Sequence, residues 1–403
     1  MHRVHRTMPP ALTLALPLVI ILVALNLRPI LASVGPLLSA IQQDIELSFS
    51  VASLLTMLPV LAMGAATFAG FKVARRIGMN AVIGYSLILL AVATAMRFFV
   101  SGASLLIASA LVAGLGIAMI QAVMPAIIKA HFGARTPLMM GFYVTAIMGG
   151  AAFAAAGSPF IAEQAGWRAG LGHWVWLAIA ALGCWIWIAN KLKVPKASGE
   201  EAPNTRFWQN SRAWELAIFF GLATGAYVCV LAWLAPYAVE QGYSDQQAGL
   251  LLGFLTSMEV LSGLISPILA TRTADRRLVM IVLCLLQVVG FSGLALSPET
   301  GLWLWAGMMG LGIGGLFPLS LIVTMDHQDD PVQAGKLTAF VQAIGYLVAG
   351  VTPWLAGVIR DSLNSFDTAW LLLAGCCAVC LVQAVRFSPV SYRKAFPVAM
   401  AAA

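Results

Sequence analysis

Charged residues are scarce in this chain: Asp, Glu, Lys and Arg together make up 10% of its 403 residues. A soluble globular protein usually carries about 25% charged residues. Hydrophobic residues instead make up 61% of the chain, and the mean hydropathy is +0.90. These values exclude an ordinary soluble protein and indicate a chain that crosses a membrane several times.

Motifs of several other protein classes are also missing. No A-x-A-like cleavage site follows the first apolar segment, which is longer than the core of a signal peptide. We find no ATP-binding motif, no appended soluble domain and no His-rich or Asp-rich cluster within an apolar segment. The glycines around 310–315 form no nucleotide loop, because no strand precedes them and no Lys-Ser/Thr follows them. The sequence therefore predicts neither an enzyme nor a cofactor-binding protein.

The cysteines indicate neither a disulfide framework nor a metal site. Three of the six lie inside one apolar segment, without His or acidic neighbours in sequence. We expect all six to pack as small apolar side chains: Cys184, Cys229, Cys284, Cys376, Cys377 and Cys380.

Twelve apolar segments follow one another, each near or above the ~20 residues that a membrane-spanning helix needs. We predict an all-α membrane protein with twelve transmembrane helices in two six-helix halves, residues 1–190 and 213–403. A polar stretch with Pro203 joins them as a flexible linker, residues 191–212. The segments run roughly over 11–41, 48–71, 79–99, 103–129, 136–161, 169–190, 213–238, 246–270, 277–297, 301–325, 336–359 and 368–387.

The loop charges predict the orientation. Only Arg97, Arg168 and Arg360 fall on one side of the predicted membrane, whereas nearly all other Lys and Arg residues fall on the other. The side rich in Lys and Arg is the cytoplasmic one. We therefore expect a multi-pass inner-membrane protein with both termini and the linker in the cytoplasm. The net charge of +7 is then the positive-inside signal and not a nucleic-acid footprint.

Two matches between the halves indicate an internal repeat. Gly-Leu-Gly-Ile at 114–117 in the fourth segment recurs at 310–313 in the tenth. A Gly and a Pro are separated by 18 residues in the fifth segment, Gly141 and Pro159, and again in the eleventh, Gly335 and Pro353. Six-helix repeats with a binding site at their interface are typical of transporters.

Arg28 is the strongest candidate for a binding residue. It lies near the centre of the first segment, where a permanent charge is costly unless it faces a cavity or a partner. One interpretation is a structural arginine paired with an acid or with backbone carbonyls. The other is a fork of donors for an anionic ligand. If the segment is one helix, Ala32 and Gly35 lie on the same face as Arg28 and leave room for a ligand or for another helix.

Glu259 is the candidate for proton coupling. It lies in the eighth segment on a face that also carries small and polar residues: Thr256, Ser262, Gly263 and Ser266. A carboxyl group buried in an apolar environment exchanges protons closer to neutral pH, because desolvation disfavours its charged form. The alternative is a static salt bridge with Arg28 from the other half.

Several uncharged polar residues complete the predicted substrate site. Amide and phenol groups placed around Arg28 would form a small anion site with few polar groups in an apolar cavity. The alternative for each is a hydrogen bond between helices, worth about 0.6–2 kcal/mol. The residues are Asn26, Gln121, Tyr143, Tyr227, Gln342 and Tyr346.

Asp326 and His327 end the tenth segment near Lys336. We interpret them as a cytoplasmic gate or a polar cluster at a helix end, since charge at a membrane boundary is ordinary. A catalytic pair is the less favoured reading.

The basic loops at 70–78 and 271–277 resemble the Gly-x-x-x-Asp-Arg-x-Gly-Arg loops of the major facilitator superfamily, although the first lacks the Asp and the second the glycines. More of the chain is similar to the cyanate-permease-like branch of that superfamily. That branch has Gln at the position of Glu259, so the resemblance does not extend to this residue. The matching residues are 25–29, 33–38, 121–125, 128–129, 136–138, 140–141, 314–315, 317–319, 326–327, 334–337, 339–340, 342, 344–345 and 353–354.

The resemblance implies a secondary transporter, since members of the branch move cyanate-type small anions or export nitroimidazole compounds. We predict transport of a cyanate-like or carboxylate-like anion by alternating access, coupled to protons, in a monomer that needs no metal or cofactor. A proton-driven exporter of nitroimidazole-like or other small drug compounds is the first alternative. A membrane protein that transports nothing, a sensor or an integral-membrane enzyme, is the second.

Overall fold

The structure, a computed structural model, describes residues 10–192, 207–272 and 275–396, and all regular structure within these ranges is helical. The first half contains α1 (Pro10–Leu25), α2 (Pro29–Ala32), α3 (Leu38–Asp44), α4 (Phe49–Ala52), α5 (Leu54–Ile77), α6 (Met79–Met96), α7 (Ala103–Phe132), α8 (Thr136–Gly172) and α9 (Val175–Ala189). The second contains α10 (Ser211–Glu240), α11 (Asp245–Thr271), α12 (Arg277–Leu296), α13 (Leu302–Asp326), α14 (Pro331–Leu363), α15 (Asp367–Arg386) and α16 (Pro389–Ala395). Short 3-10 turns lie at Gly35–Leu37, Arg97–Phe99, Gly133–Arg135, Phe207–Gln209 and Pro298–Thr300.

The helices follow the predicted order of twelve segments. Segment one comprises α1 to α3, segment two comprises α4 and α5, and segments three to twelve are α6 to α15. Within the described residues, eleven segments are long and apolar enough to cross a membrane, and the sixth holds the shorter α9 of 15 residues. The predicted border between segments five and six, residues 162–168, contains a kink at Gly166 (φ 82°), which divides α8 into two helical parts, the second ending at Gly172. Only glycine adopts such a φ at little cost, so the chain bends there without a loop. Of the predicted linker, residues 193–206 lie outside the described residues.

Segment one is broken at its centre, contrary to the single helix assumed above. The first helix ends at Leu25, a turn follows over 26–28, and Pro29 begins α2. Proline has no backbone N–H, so it suits the first position of a helix. A second turn follows at 33–34 before the 3-10 turn. Gly35 therefore does not share a helical face with Arg28, and a Cβ there would lie 3.1 Å from the Ala232 carbonyl of α10. Its small size admits a helix rather than a ligand.

The matched glycines of α7 and α13 lie at equivalent helix contacts. Gly114 of α7 faces Pro59 in α5, and Gly310 of α13 faces Leu255 in α11. The second glycine of each match faces a different helix: Gly116 faces α6 in the first half, and Gly312 faces α12 in the second. A Cβ at these positions would meet a neighbouring backbone, so small residues set the close approach of the helices. The two halves thus repeat one packing scheme.

The halves meet along two pairs of helices, α5 with α14 and α8 with α11. Small residues again allow close contact, since Gly64 faces the Ala343 carbonyl and Gly253 faces the Ala152 carbonyl. Between these pairs, α10 packs against α2 and the 3-10 turn of segment one. The broken segment and α10 therefore lie at the centre, where the halves face each other.

At one end of the molecule, side-chain bonds tie the halves together. Both carboxylate oxygens of Asp361 in α14 accept hydrogen bonds from the backbone of α4, from Phe49 N at 3.0 Å and Ser50 N at 2.8 Å. The neighbouring Arg360 binds Glu240 of α10 at 2.8 Å and lies 4.8 Å from the Phe49 ring centre. We call Phe49, Ser50, Glu240, Arg360 and Asp361 the end latch.

Candidate functional site

Arg28 occupies the first break of segment one. Its residue is 6% exposed, and its Nη1 points at the sulfur of Met63 at 3.9 Å. Its Cζ lies 5.6 Å from the ring centre of Tyr227, across the interface between the halves. The Nε atom is buried and has no hydrogen-bond partner. A buried guanidinium with an unused donor and an apolar sulfur as neighbour is poorly compensated by the protein itself.

Glu259 lies opposite, in α11. It is 2% exposed, and neither carboxylate oxygen has a hydrogen-bond partner. Arg28 and Glu259 interact electrostatically, but they are not joined by a direct hydrogen bond or ion pair. The static salt bridge considered above is therefore not formed in this structure. Each group remains available to a third partner.

Three tyrosines complete the surroundings of Arg28. Tyr143 of α8, Tyr227 of α10 and Tyr346 of α14 all interact electrostatically with the guanidinium. The hydroxyls of Tyr143 and Tyr227 are buried without a hydrogen-bond partner. We call Arg28, Tyr143, Tyr227, Glu259 and Tyr346 the central cluster. Five segments, three of them from the second half, supply one residue each.

The other predicted substrate residues are less directly placed. Asn26 is buried, and its amide donates to the carbonyls of Leu22 at 2.7 Å and Leu177 at 3.4 Å within the first half. Gln121 has a buried Oε1 without a partner. Gln342 is half-buried on α14, one turn before Tyr346, as its spacing predicts. None of the three forms a hydrogen bond with the central cluster in the part of the chain that the structure describes. Their role in binding stays a prediction.

Two further polar groups were not singled out from the sequence. Ser33 lies in the second break of segment one, and Thr224 lies three residues before Tyr227 on α10. Their hydroxyl oxygens are both buried without a partner. Helical spacing places Thr224 and Tyr227 on one face, which was the available signal for Thr224. No comparable signal existed for Ser33, because its position depends on the break.

Arg97 lies in the 3-10 turn between α6 and α7, at a helix end as predicted, and it is a second buried basic residue besides Arg28. Its side chain is 0% exposed. The Nη1 donates to the Ile30 carbonyl of segment one at 2.6 Å, and the Nε donates to Ser109 Oγ at 3.3 Å. Ile30 lies in α2, two residues after Arg28. Arg97 therefore supports the broken stretch that presents Arg28, a role that no sequence pattern revealed.

The polar face of α11 is buried, as its composition predicts. Thr256, Ser262 and Ser266 are each at most 5% exposed, and Ser262 Oγ donates to the Leu311 carbonyl at 2.5 Å. Gly314 of α13 packs directly on the Glu259 backbone. The hydroxyls are thus used in helix packing, whereas the Glu259 carboxyl group is not.

The predicted gate residues lie together but differ in character. Asp326 binds Arg276 at 3.4 Å, a pair within the second half. His327 is 4% exposed, donates from Nδ1 to the Val323 carbonyl and lies 4.0 Å, ring to ring, from Tyr392 of α16. Burial lowers the pKa of His327 to about 4, so this histidine is neutral at physiological pH. Through these contacts, Asp326 joins segment ten to the loop between segments eight and nine, and His327 joins it to α16. Their role as a gate stays a prediction.

The six cysteines are free thiols, and four of them are buried: Cys229, Cys284, Cys377 and Cys380. Cys377 approaches Gln287 Oε1 at 3.2 Å between α15 and α12. The four buried thiols pack as small side chains among the helices of the second half.

The central cluster has the chemistry of a site for a small anion that also handles protons. A guanidinium offers planar, bidentate donors to a carboxylate or a similar ion. The unpartnered phenols add neutral donors, and the walls are apolar. A carboxyl group within electrostatic range of the cation competes with the anion for it when ionised. Protonation of that group removes the competition.

Comparisons with known proteins agree with the fold. The model of the Major Facilitator Superfamily matches residues 20–332. The cyanate transport protein CynX of Escherichia coli (strain K12) is 40% identical over 376 residues, which cover 93% of this chain and 97% of that protein. The 2-nitroimidazole transporter of the same organism is 29% identical, over 91% of this chain and 92% of that protein.

Solved structures share the fold at lower identity. A D-xylose-proton symporter matches with a TM-score of 0.73 and 14% identity, over 93% of this chain and 97% of that chain. The nucleoside transporter NupG matches with a TM-score of 0.72 and 14% identity, over 92% and 99% of the two chains.

Proposed function

The chain belongs to the major facilitator superfamily and to its cyanate-permease-like branch, and on this premise we propose that it is a secondary active transporter of a small anion. The substrate is cyanate-like or carboxylate-like, and it crosses the inner membrane by alternating access of the two halves. The observation that carries the proposal is the central cluster: a buried guanidinium between the halves that no acid of the described residues contacts. The 40% identity with a protein named for cyanate transport supports the substrate class.

Coupling to protons rests on the competition between Glu259 and the substrate. An ionised Glu259 stabilises Arg28 from the other half and weakens the attraction for an anion. A protonated Glu259 releases Arg28, so proton and anion bind more strongly together than either alone. Such mutual enhancement produces symport. We therefore assign Arg28 as the anion ligand and Glu259 as the proton carrier.

Alternating access requires that the halves separate at each end in turn. The end latch holds one end together, and the Lys and Arg distribution assigns this end to the outside. We accordingly propose that both termini and the linker, residues 191–212, are cytoplasmic. Each half would move as a unit, with the linker allowing the movement, and one chain is sufficient because both halves are present in it.

Uptake by purified protein in proteoliposomes tests the function. A panel of radiolabelled cyanate, small carboxylates and aromatic weak acids is offered with and without an inward pH gradient. We expect accumulation of at least one anion above its equilibrium level only when the gradient is present. Liposomes that contain the Arg28→Ala protein are the control. Equal signals in both preparations for every compound would contradict transport through this site.

A neutral, drug-like substrate is the second candidate. The observation in its favour is the 29% identity with a 2-nitroimidazole transporter, together with the aromatic side chains beside Arg28. Such a substrate depends on apolar and stacking contacts. It would therefore tolerate Arg28→Lys, whereas a small anion would not.

A further inference from the structure

A groove of about 890 Å³ runs between α10 and α15 on the lateral surface of the second half, the surface that faces lipid. Apolar side chains line the part that lies two turns inside the helices, including Ile218 and Val382, which are 39% and 63% exposed. Polar side chains line the part at the helix ends, including Ser211, Glu215 and Arg386. The groove thus has one apolar and one polar end, along the direction in which the helices cross the membrane.

A tryptophan pair marks the depth of the polar end. Trp214 lines the groove, and its indole donates a hydrogen bond to the Trp208 carbonyl at 3.0 Å. The two rings lie 5.8 Å apart, and Trp208 is 59% exposed. Tryptophans collect at the boundary between hydrocarbon and water. The polar end therefore lies at the level of lipid headgroups.

The polar end carries excess positive charge. Glu215 is bound by Arg212 at 3.0 Å and by Arg386 at 3.3 Å, so one carboxylate faces two guanidinium groups. The Arg386 side chain remains 66% exposed despite this contact. Because Arg212 already neutralises Glu215, the charge of Arg386 is available to a further anion.

Gln383 also lines the groove. Its amide donates to the Glu215 carbonyl at 3.3 Å, which fixes the side chain. Its Oε1 is buried and has no hydrogen-bond partner. Because this oxygen is closed off from the groove, Gln383 forms part of the wall and is not a contact for a ligand.

We propose that this groove binds an anionic phospholipid, for which phosphatidylglycerol is the probe. The phosphate contacts Arg386, and an acyl chain lies along Ile218 and Val382. Basic pockets between helices on the cytoplasmic side attract anionic headgroups, and this end is the one that the loop charges assign to the cytoplasm. The site is separate from the central cluster and does not depend on the identity of the transported substrate.

Binding of defined lipids to the purified full-length protein in detergent tests the proposal. Native mass spectrometry is used to measure the dissociation constants of phosphatidylglycerol and phosphatidylcholine with the same acyl chains. We expect a one-to-one complex with phosphatidylglycerol that Arg386→Gln weakens about fivefold, the effect of one basic side chain at an anionic surface. Phosphatidylcholine is expected to bind more weakly and to be unaffected by the substitution.

Two variants make the result specific. Arg386→Lys keeps the charge and is expected to retain affinity within about twofold. Arg168→Gln removes a partly exposed arginine from the opposite end of the protein, where it binds Asp44, and is expected to change nothing. Equal affinity for the two lipids, unchanged binding by Arg386→Gln, or an equal loss in Arg168→Gln would each overturn the proposal.

Discussion

At the scale of residues, the two buried arginines differ in how their charge is compensated. Arg97 donates to the Ile30 carbonyl and to Ser109, so the protein itself supplies acceptors for two of its three nitrogens, and only Nη2 has no partner. Arg28 has an unpartnered Nε and only a thioether within contact of Nη1. Leaving a buried charge uncompensated costs several kcal/mol. That cost is reduced if a ligand completes the site, and this argues for Arg28 as a ligand-binding residue and for Arg97 as its support.

We expect Arg28→Lys to leave the protein folded in the membrane but to weaken binding of an anionic substrate. A lysine keeps the charge but loses the bidentate fork. Loss of a partner for a buried charged group costs roughly 2–5 kcal/mol, or about 30- to several-thousand-fold in affinity. Substrate affinity of the purified, monodisperse variant measures this. Near-normal affinity for an anion would refute the anion site, and aggregation would favour a purely structural arginine.

Glu259→Gln should abolish accumulation driven by a pH gradient while exchange or facilitated flow persists. Glutamine keeps the shape of the side chain but carries no exchangeable charge, so the competition for Arg28 is lost. Uptake into proteoliposomes with and without the gradient separates the two modes. Ser257→Ala, on the same helix but with its hydroxyl bonded to the Gly253 carbonyl, is the matched control. Full accumulation by Glu259→Gln, with unchanged pH dependence, would leave Glu259 a structural residue.

Arg97→Lys should loosen the broken part of segment one before it affects anything else. A hydrogen bond from a charged group contributes about 1.5–3 kcal/mol, so local opening around residues 26–34 should increase by roughly 10- to 150-fold. Hydrogen exchange of peptides from this stretch measures the effect without any substrate. Thr94→Val, which removes a buried hydroxyl bonded only to its own helix, is the control. Equal exchange in both variants would show that Arg97 does not hold the break.

At the scale of elements, the break in segment one positions the site. Continuous helices satisfy their own backbone groups, whereas a break near the membrane centre frees some of them and turns side chains toward the interface. Gly150 of α8 packs directly on the Leu25 carbonyl, where the first helix ends. The close fit holds the break against α8, the helix that also carries Tyr143.

The end latch gives a prediction for the movement of whole elements. Asp361→Ala removes two hydrogen bonds between α14 and the start of α4. We expect the population open at this end to increase roughly 5- to 30-fold, which corresponds to about 1–2 kcal/mol for two exposed charge-assisted bonds. Distances between spin labels at Glu46 and Leu363 report the opening.

Ser362→Ala is the matched control for the latch, because it removes an exposed hydroxyl beside Asp361 without a bond between the halves. Its distance distribution should equal that of the parent protein. An unchanged distribution in Asp361→Ala would mean that apolar packing around Phe49 and Phe366 holds this end by itself.

At the scale of the whole molecule, the charge of the loops predicts how the protein is oriented in the membrane. The end latch and the polar end of the groove between α10 and α15 lie at opposite ends of the helices. Only the polar end of the groove is on the side rich in Lys and Arg. Cysteines introduced at Ser198, which lies outside the described residues, and at Ser362 should therefore react with a membrane-impermeant reagent from opposite faces. Labelling of both from outside intact cells would contradict the orientation.

The sequence by itself determined the class, the order of the twelve segments and the candidate polar residues. The length of the hydrophobic segments and the charge of the loops are properties of the chain that govern membrane insertion. Predicting the class and the order of the segments therefore needs no tertiary information. Arg28, Glu259 and the tyrosines stood out for a similar reason, since polar groups are costly in apolar helices and rarely occur there without a role.

Only the tertiary structure decided how these residues relate to one another. Arg28 and Glu259 are more than 200 residues apart in sequence. The distance between them, which excludes a direct ion pair, depends on how the two halves pack. The burial of Arg97 and the break that orients Gly35 toward α10 depend on contacts between segments, and helical periodicity describes only one segment at a time. The groove beside Arg386 likewise exists only where α10 and α15 meet.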